Sequence, residues 1–233
     1  KSKTNKYFAC YTLCVALWGI FQFLSLASSN KSDALFYMRT CLAFAMFIPS
    51  FFLHFSAHLT NKYSMYSKSI KFAYLIGLIT LLFTYSPLYI KDEEIKLFGL
   101  YWPVGGPLFF FYMFQYILFI GLSLLIIYKK FKESTGSNKE QLKLIFIGIL
   151  IAYLGGLTNF PLCFDIPIPP FGNFFIPIYC VFVYYAIYKY QLMDISIVIK
   201  RSLVYTALVT IITLFYLILI YFTEHIVQSY FGY

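Results

Sequence analysis

Two histidines four residues apart, in the run His54-Phe-Ser-Ala-His58, are the clearest chemical pairing in a chain otherwise poor in reactive groups. That spacing sets both imidazoles on one helix face. A metal or haem reading needs more ligands. The remaining histidine, His225, is expected at the opposite membrane face, and no nearby loop supplies another donor. The plainer reading is an interfacial, hydrogen-bonded pair. A second candidate is the segment 159–173, where Pro161, Pro167, Pro169 and Pro170 cannot continue a regular helix. An apolar, proline-stiffened loop between two helices can wall a ligand pocket. Asn159, Pro161, Asp165 and Asn173 are its candidate binding residues, for a small apolar or peptide ligand. The alternative is a tight re-entrant turn that only connects two helices. The charged run Lys91–Lys96 reads as a solvated face, and Trp102 as an interface anchor. Cys10, Cys14, Cys41, Cys163 and Cys180 match no zinc or iron–sulfur spacing and read as packing residues. No phosphate-cradling glycine loop, Ser/His/Asp set or paired carboxylates occur in the sequence, so no catalytic residue, cofactor or metal is assigned.

The elements that must position these residues are legible from composition. Of 233 residues, 61% are hydrophobic and 12% charged. Soluble domains are about 45–50% apolar and about 25% charged. So few charges cannot clothe a water-facing surface, and the 28 Phe and 23 Tyr suit a membrane chain. A bilayer span takes about 20 apolar residues. Apolar runs of that length predict seven spans, at 7–26, 35–55, 72–90, 107–128, 144–164, 171–188 and 203–221. In lipid each must be helical, because every backbone polar group needs an internal partner. The expected fold is therefore all-α: one polytopic transmembrane helical bundle over 1–233, with no room for a soluble catalytic domain. Arg39 and Glu224 fall near span ends, where charged groups can snorkel to water.

Loop charge predicts the orientation. Fourteen of the 18 Lys and Arg residues fall on one set of loops, including Lys189, Lys200 and Arg201. Basic residues stay on the cytoplasmic side, so the N-terminus is expected inside. The net charge of +9 then reflects this bias and anionic lipid rather than nucleic acid, since the basic residues are spread over four short loops.

The run Tyr184-Tyr-Ala-Ile-Tyr-Lys-Tyr-Gln-Leu-Met-Asp-Ile195, continuing to Lys200-Arg-Ser-Leu-Val-Tyr205, resembles the membrane-embedded sensor region of multi-pass bacterial sensor histidine kinases. Lys189, Tyr190, Leu192, Asp194, Ile195, Lys200, Arg201 and Tyr205 match that pattern; Gln191 stands where a second base is usual. Trp18, the segment 48–55, the run Gly155–Pro161 and Pro169-Pro-Phe-Gly172 are similar too. The resemblance implies a sensor in the bacterial cytoplasmic (inner) membrane, acting as a homodimer. It also implies signal relay through Lys189, Asp194, Lys200 and Arg201 toward a cytoplasmic kinase or other output domain. No phospho-accepting histidine box or ATP-binding box is present, and Lys1 is not Met, so the chain is expected to be a piece of a longer protein. The alternatives are an accessory subunit of a membrane complex, which equally explains the lack of mid-membrane charge, and a transporter.

Overall fold

A computed structural model describes residues 3–190. Unit 1 runs over Lys1–Ala186; of unit 2, Ile187–Tyr233, only the last turn of one helix is described. Helix α1 spans Lys3–Leu26, α2 Lys31–Ala45, α3 Ile48–Leu59 and α4 Tyr63–Leu82. Strands β1 (Ile90–Ile95) and β2 (Tyr101–Gly105) follow, then α5 (Phe109–Glu133), α6 (Gly136–Leu157) and α7 (Phe175–Tyr190). Short 3-10 turns at Pro161–Phe164 and Phe171–Phe174 join α6 to α7. Five helical stretches among the described residues are long and apolar enough to cross a membrane: Lys3–Leu26, Lys31–Leu59, Tyr63–Leu82, Phe109–Glu133 and Gly136–Phe164. A shorter apolar helix covers Phe171–Ala186, and the stretch 203–221 lies outside the described residues.

Helix α3 is the hub. Nine of its residues, from Ile48 to Ala57, are buried. Leu53 and Ala57 pack with Ile70 and Ala73 of α4 and with Phe119 and Ile126 of α5. By contrast, Leu13, Ile20 and Phe23 of α1, and Leu75, Leu78 and Leu82 of α4, stand exposed. Apolar surface on that scale is what a bilayer covers and water does not.

Local chemistry sets the breaks. Asn30 caps α2, its side chain accepting from the Asp33 N–H at 2.9 Å, and Asp33 itself sits in the first turn, where a negative charge suits the helix N-terminus. The expected span 35–55 is in fact two helices that meet at Met46-Phe47. Pro49 lies in the first turn of α3, where its missing N–H costs nothing. The break frees the Met46 carbonyl, and Gln115 of α5, 1% exposed, donates to it at 2.9 Å. A broken helix inside apolar surroundings is tolerated when a neighbour re-satisfies the backbone in this way.

Helix α4 starts and ends about two turns earlier than the stretch 72–90, because Lys68 and Lys71 are absorbed into its first turns and Ser86-Pro87 opens a loop. That loop carries the largest departure from expectation, an antiparallel β-hairpin at the same end of unit 1 as the α6–α7 connection. It adds a small β element to an otherwise helical bundle. It packs on α2, on α1 and on the turn Pro161–Phe164.

Candidate functional site

Beneath the hairpin lies a cavity of about 110 Å³. Its walls come from α1 (Tyr11, Trp18), α2 (Cys41), β2 (Trp102), α5 (Tyr112) and α7 (Tyr179), among others. The lining holds no Asp, Glu, Lys or Arg. Phe160 anchors one side, meeting Tyr112 and Tyr116 nearly edge-on, at 5.8 and 5.4 Å between ring centroids. Such edge-to-face contacts are worth about 0.5–1.5 kcal/mol each beyond their burial. Tyr116 donates its hydroxyl to the Tyr153 carbonyl at 3.3 Å, tying α5 to α6.

The four candidate binding residues of the 159–173 segment have different fates. Asn159 lines the cavity. Its amide pairs reciprocally with that of Asn173, each Nδ2 donating to the other's Oδ1 at 2.8 and 2.9 Å. Pro161 opens the 3-10 turn. Asp165 closes that turn with φ 62°, its side chain largely exposed and paired with Lys96 at 2.8 Å. Lys96 also donates to the Leu162 carbonyl at 2.8 Å, so it staples the hairpin to this turn. Gly172 N–H donates to Thr158 Oγ1 at 3.1 Å, and the backbones of Gly155 and Gly172 touch so closely that a Cβ on either would overlap the other's carbonyl oxygen. The segment thus forms a clamp that fixes the start of α7 against the end of α6.

The amide pair behaves as one unit. Asn159→Ala strands the Asn173 amide, so it is expected to cost about 1–2 kcal/mol, and adding Asn173→Ala is expected to cost almost nothing more. Thermal unfolding of both single variants and the double variant checks this; additive losses refute it.

The charged run expected to be a solvated face is not one throughout. Glu93 is wholly buried, and neither carboxylate oxygen has a hydrogen-bond partner. The cause is a bulge: Ile90 pairs with Gly105, but Asp92 pairs with Val104, so Lys91 is the extra residue. One extra residue reverses the inward–outward alternation, and Ile90 and Glu93 both point in while Lys91 and Glu94 point out. Burial is the main reason the Glu93 carboxyl is pushed up to about 8; Lys96 and then Arg39 and Lys31 oppose the shift, and Asp92 adds to it. Asp92 goes the other way, held below its ordinary value by its hydrogen bond to Lys31 at 2.6 Å. Arg39 does not snorkel freely but donates to the Ile90 carbonyl at 2.9 Å. Trp102, expected at an interface, instead packs inward as a cavity wall, because the hairpin folds over the helix ends.

The histidine pair sits at the opposite end of unit 1. His54 Nδ1 and the Tyr74 hydroxyl are 3.1 Å apart. Tyr7 stacks on His54 at 3.4 Å, and Tyr63 stacks on His58 at 4.5 Å. These are aromatic and hydrogen-bonding partners, and no metal-holding group of three His, Cys, Asp or Glu occurs among the described residues. Of the relay candidates, Lys189 is in the last turn of α7, whereas Asp194, Lys200 and Arg201 lie outside the described residues.

The cavity walls and Glu93 went unread in the sequence, although a signal exists. Gln22 and Gln115 interrupt apolar helices, and Tyr112 and Tyr116 share a helix face.

The described residues thus form a helical membrane bundle with a charge-free, largely aromatic cavity beneath a hairpin. The chain belongs to the family described as the N-terminal 7TM region of histidine kinase, which matches residues 1–196 of its 233. It is accordingly the membrane region of a histidine kinase, with a sensor role. No curated protein and no solved structure matched the chain.

Proposed function

We propose that this region senses a small apolar or peptide ligand, taken into the aromatic cavity, and relays its presence to a cytoplasmic kinase domain. The observation that carries the reading is where the cavity walls come from. Helices α1, α2, α5 and α6, strand β2 and helix α7 all contribute to them. A ligand that bears on all of these has different affinities for two packings of the bundle, which is the requirement for shifting between them. Ile176 and Tyr179 put α7 in the wall, and α7 leads to Lys189. The relay then continues through Asp194, Lys200 and Arg201.

In this reading the chain is a multi-pass bundle of seven spans in the bacterial cytoplasmic membrane, with its N-terminus in the cytoplasm. The crowding of basic residues on one set of loops supports that orientation. The hairpin and cavity then face outward, where a signal arrives. Kinases of this kind work as pairs, so the region acts in a homodimer.

Asp194→Asn and Arg201→Ala, made in the full-length kinase, are expected to change autophosphorylation in membrane vesicles by at least about fivefold, the lower end of ordinary allosteric coupling. Thermal unfolding is expected to stay as in the parent. Unchanged phosphorylation in both variants sinks the relay.

A further inference from the structure

The cavity wall carries more hydrogen-bond donors than its own residues satisfy. The Tyr153 and Tyr179 hydroxyls and Trp102 Nε1 are buried without a partner in hydrogen-bond geometry, and all three residues line the cavity. They come from α6, α7 and β2. The Tyr11 hydroxyl reaches toward both Tyr153 and Tyr179, and Trp102 lies against the Cys163 thiol, but these neighbours leave the donors unmatched. Gln22, 7% exposed, adds an amide that can donate or accept. A donor left unsatisfied in an apolar site costs about 1–3 kcal/mol, so three in one cavity mark a place where something else supplies acceptors.

We propose that the cavity takes a neutral, mostly apolar molecule that carries hydrogen-bond acceptor oxygens, such as a ketone, ester or ether, and that Tyr153, Tyr179 and Trp102 donate to those oxygens. The inference rests on the cavity being the ligand site. The wall argues for each half of that description. Its side chains are mostly aromatic and aliphatic, which selects an apolar body. No charged side chain lines it, so a carboxylate or ammonium entering it loses hydration without an ion partner. Lys96 and Glu93 lie near Cys163, and Glu93 near Cys41 as well, but neither lines the cavity. The acceptor oxygen is available from two sources, a free small molecule or the ester of a membrane lipid.

Both tryptophans of the chain, Trp18 and Trp102, line the cavity, so indole fluorescence reports on this site alone. The chain is titrated with 2-heptanone, whose carbonyl quenches indole, in detergent and again in nanodiscs of ester-linked phosphatidylcholine. Heptane and heptylamine serve as competitors. The expected result is saturable quenching, which heptane relieves only at concentrations at least tenfold above that of the ketone. Tyr153→Phe combined with Tyr179→Phe, which keeps both rings, is expected to weaken ketone binding tenfold or more. Saturation in both media points to a free ligand; saturation in detergent but not in nanodiscs points to a lipid ester already in place.

Heptane or heptylamine competing as well as the ketone overturns the acceptor proposal while leaving the cavity as a ligand site. So does unchanged ketone binding in the double Phe variant. The competition needs no variant, so a misfolded double variant does not shield the proposal. Quenching that rises linearly in detergent and in nanodiscs overturns both this inference and the cavity reading beneath it.

Discussion

Glu93→Gln is expected to stabilise the protein at neutral pH and to remove the loss of stability that Glu93 imposes between about 4.5 and 8. The folded protein keeps the Glu93 proton up to about 8, while the ordinary value is 4.5. Between those limits the folded state holds a proton that the unfolded state has released. Stability therefore falls as pH rises through that window, and does not change further outside it on this group's account. At about 1.4 kcal/mol per pH unit the whole fall is about 5 kcal/mol, and roughly 3 kcal/mol of it is already lost at pH 7. A glutamine fills the same space, keeps an acceptor and carries no charge to desolvate. The check is thermal unfolding of parent and variant in one detergent at pH 5 and pH 8.5. On going to the higher pH the parent loses stability relative to the variant by about the Glu93 contribution. Parallel shifts in the two proteins show that Glu93 is not the titrating group.

The second large effect belongs to the clamp between α6 and α7. Gly172→Ala is expected to lose about 3 kcal/mol or more, and Gly155→Ala a similar amount, because the new methyl lands on a backbone oxygen rather than on a movable side chain. The backbones have to part, and the paired amides of Asn159 and Asn173 part with them. Gly121 of α5 is the control, since a methyl there meets nothing within 4 Å and alanine is the better helix former. Melting temperatures of the three alanine variants decide the matter. A Gly172→Ala protein as stable as the Gly121→Ala protein removes the clamp from the account.

Much of this protein was readable before any coordinates, for a physical reason. A bilayer leaves the backbone few choices, so long apolar runs predict helices directly, and five such stretches stand among the described residues. What hydropathy could not read was anything depending on two residues far apart. The break at Met46 looks like one continuous span because a single glutamine from α5 makes it tolerable. The stretch 72–90 came out displaced because lysines near a helix start look like loop when only hydropathy is weighed. Asn159 and Asn173 were singled out as neighbours of a proline-rich loop, and their mutual pairing is a tertiary fact that spacing does not encode. Glu93 was misread because a run of charges signals solvent by composition, and composition carries no register. The cavity was invisible for a related reason: its walls are assembled from one or two residues of each element, none unusual on its own.

The bulge at Lys91 also bears on how such a hairpin can change over generations. Its extra residue is absorbed between Ile90 and Asp92 while Glu93 stays opposite Pro103, so loss of Lys91 would leave Ile90 in, Asp92 out and Glu93 in, and the buried carboxyl would survive it. Loss of the bulge residue therefore leaves the same acid buried. At the tip, Leu97–Gly99 makes a 3-10 turn beyond the paired residues, and length changes there leave the register untouched. Relatives that conserve the buried carboxyl are thus expected to vary in tip length and to carry or lack the extra residue at position 91, while keeping Glu93 opposite Pro103.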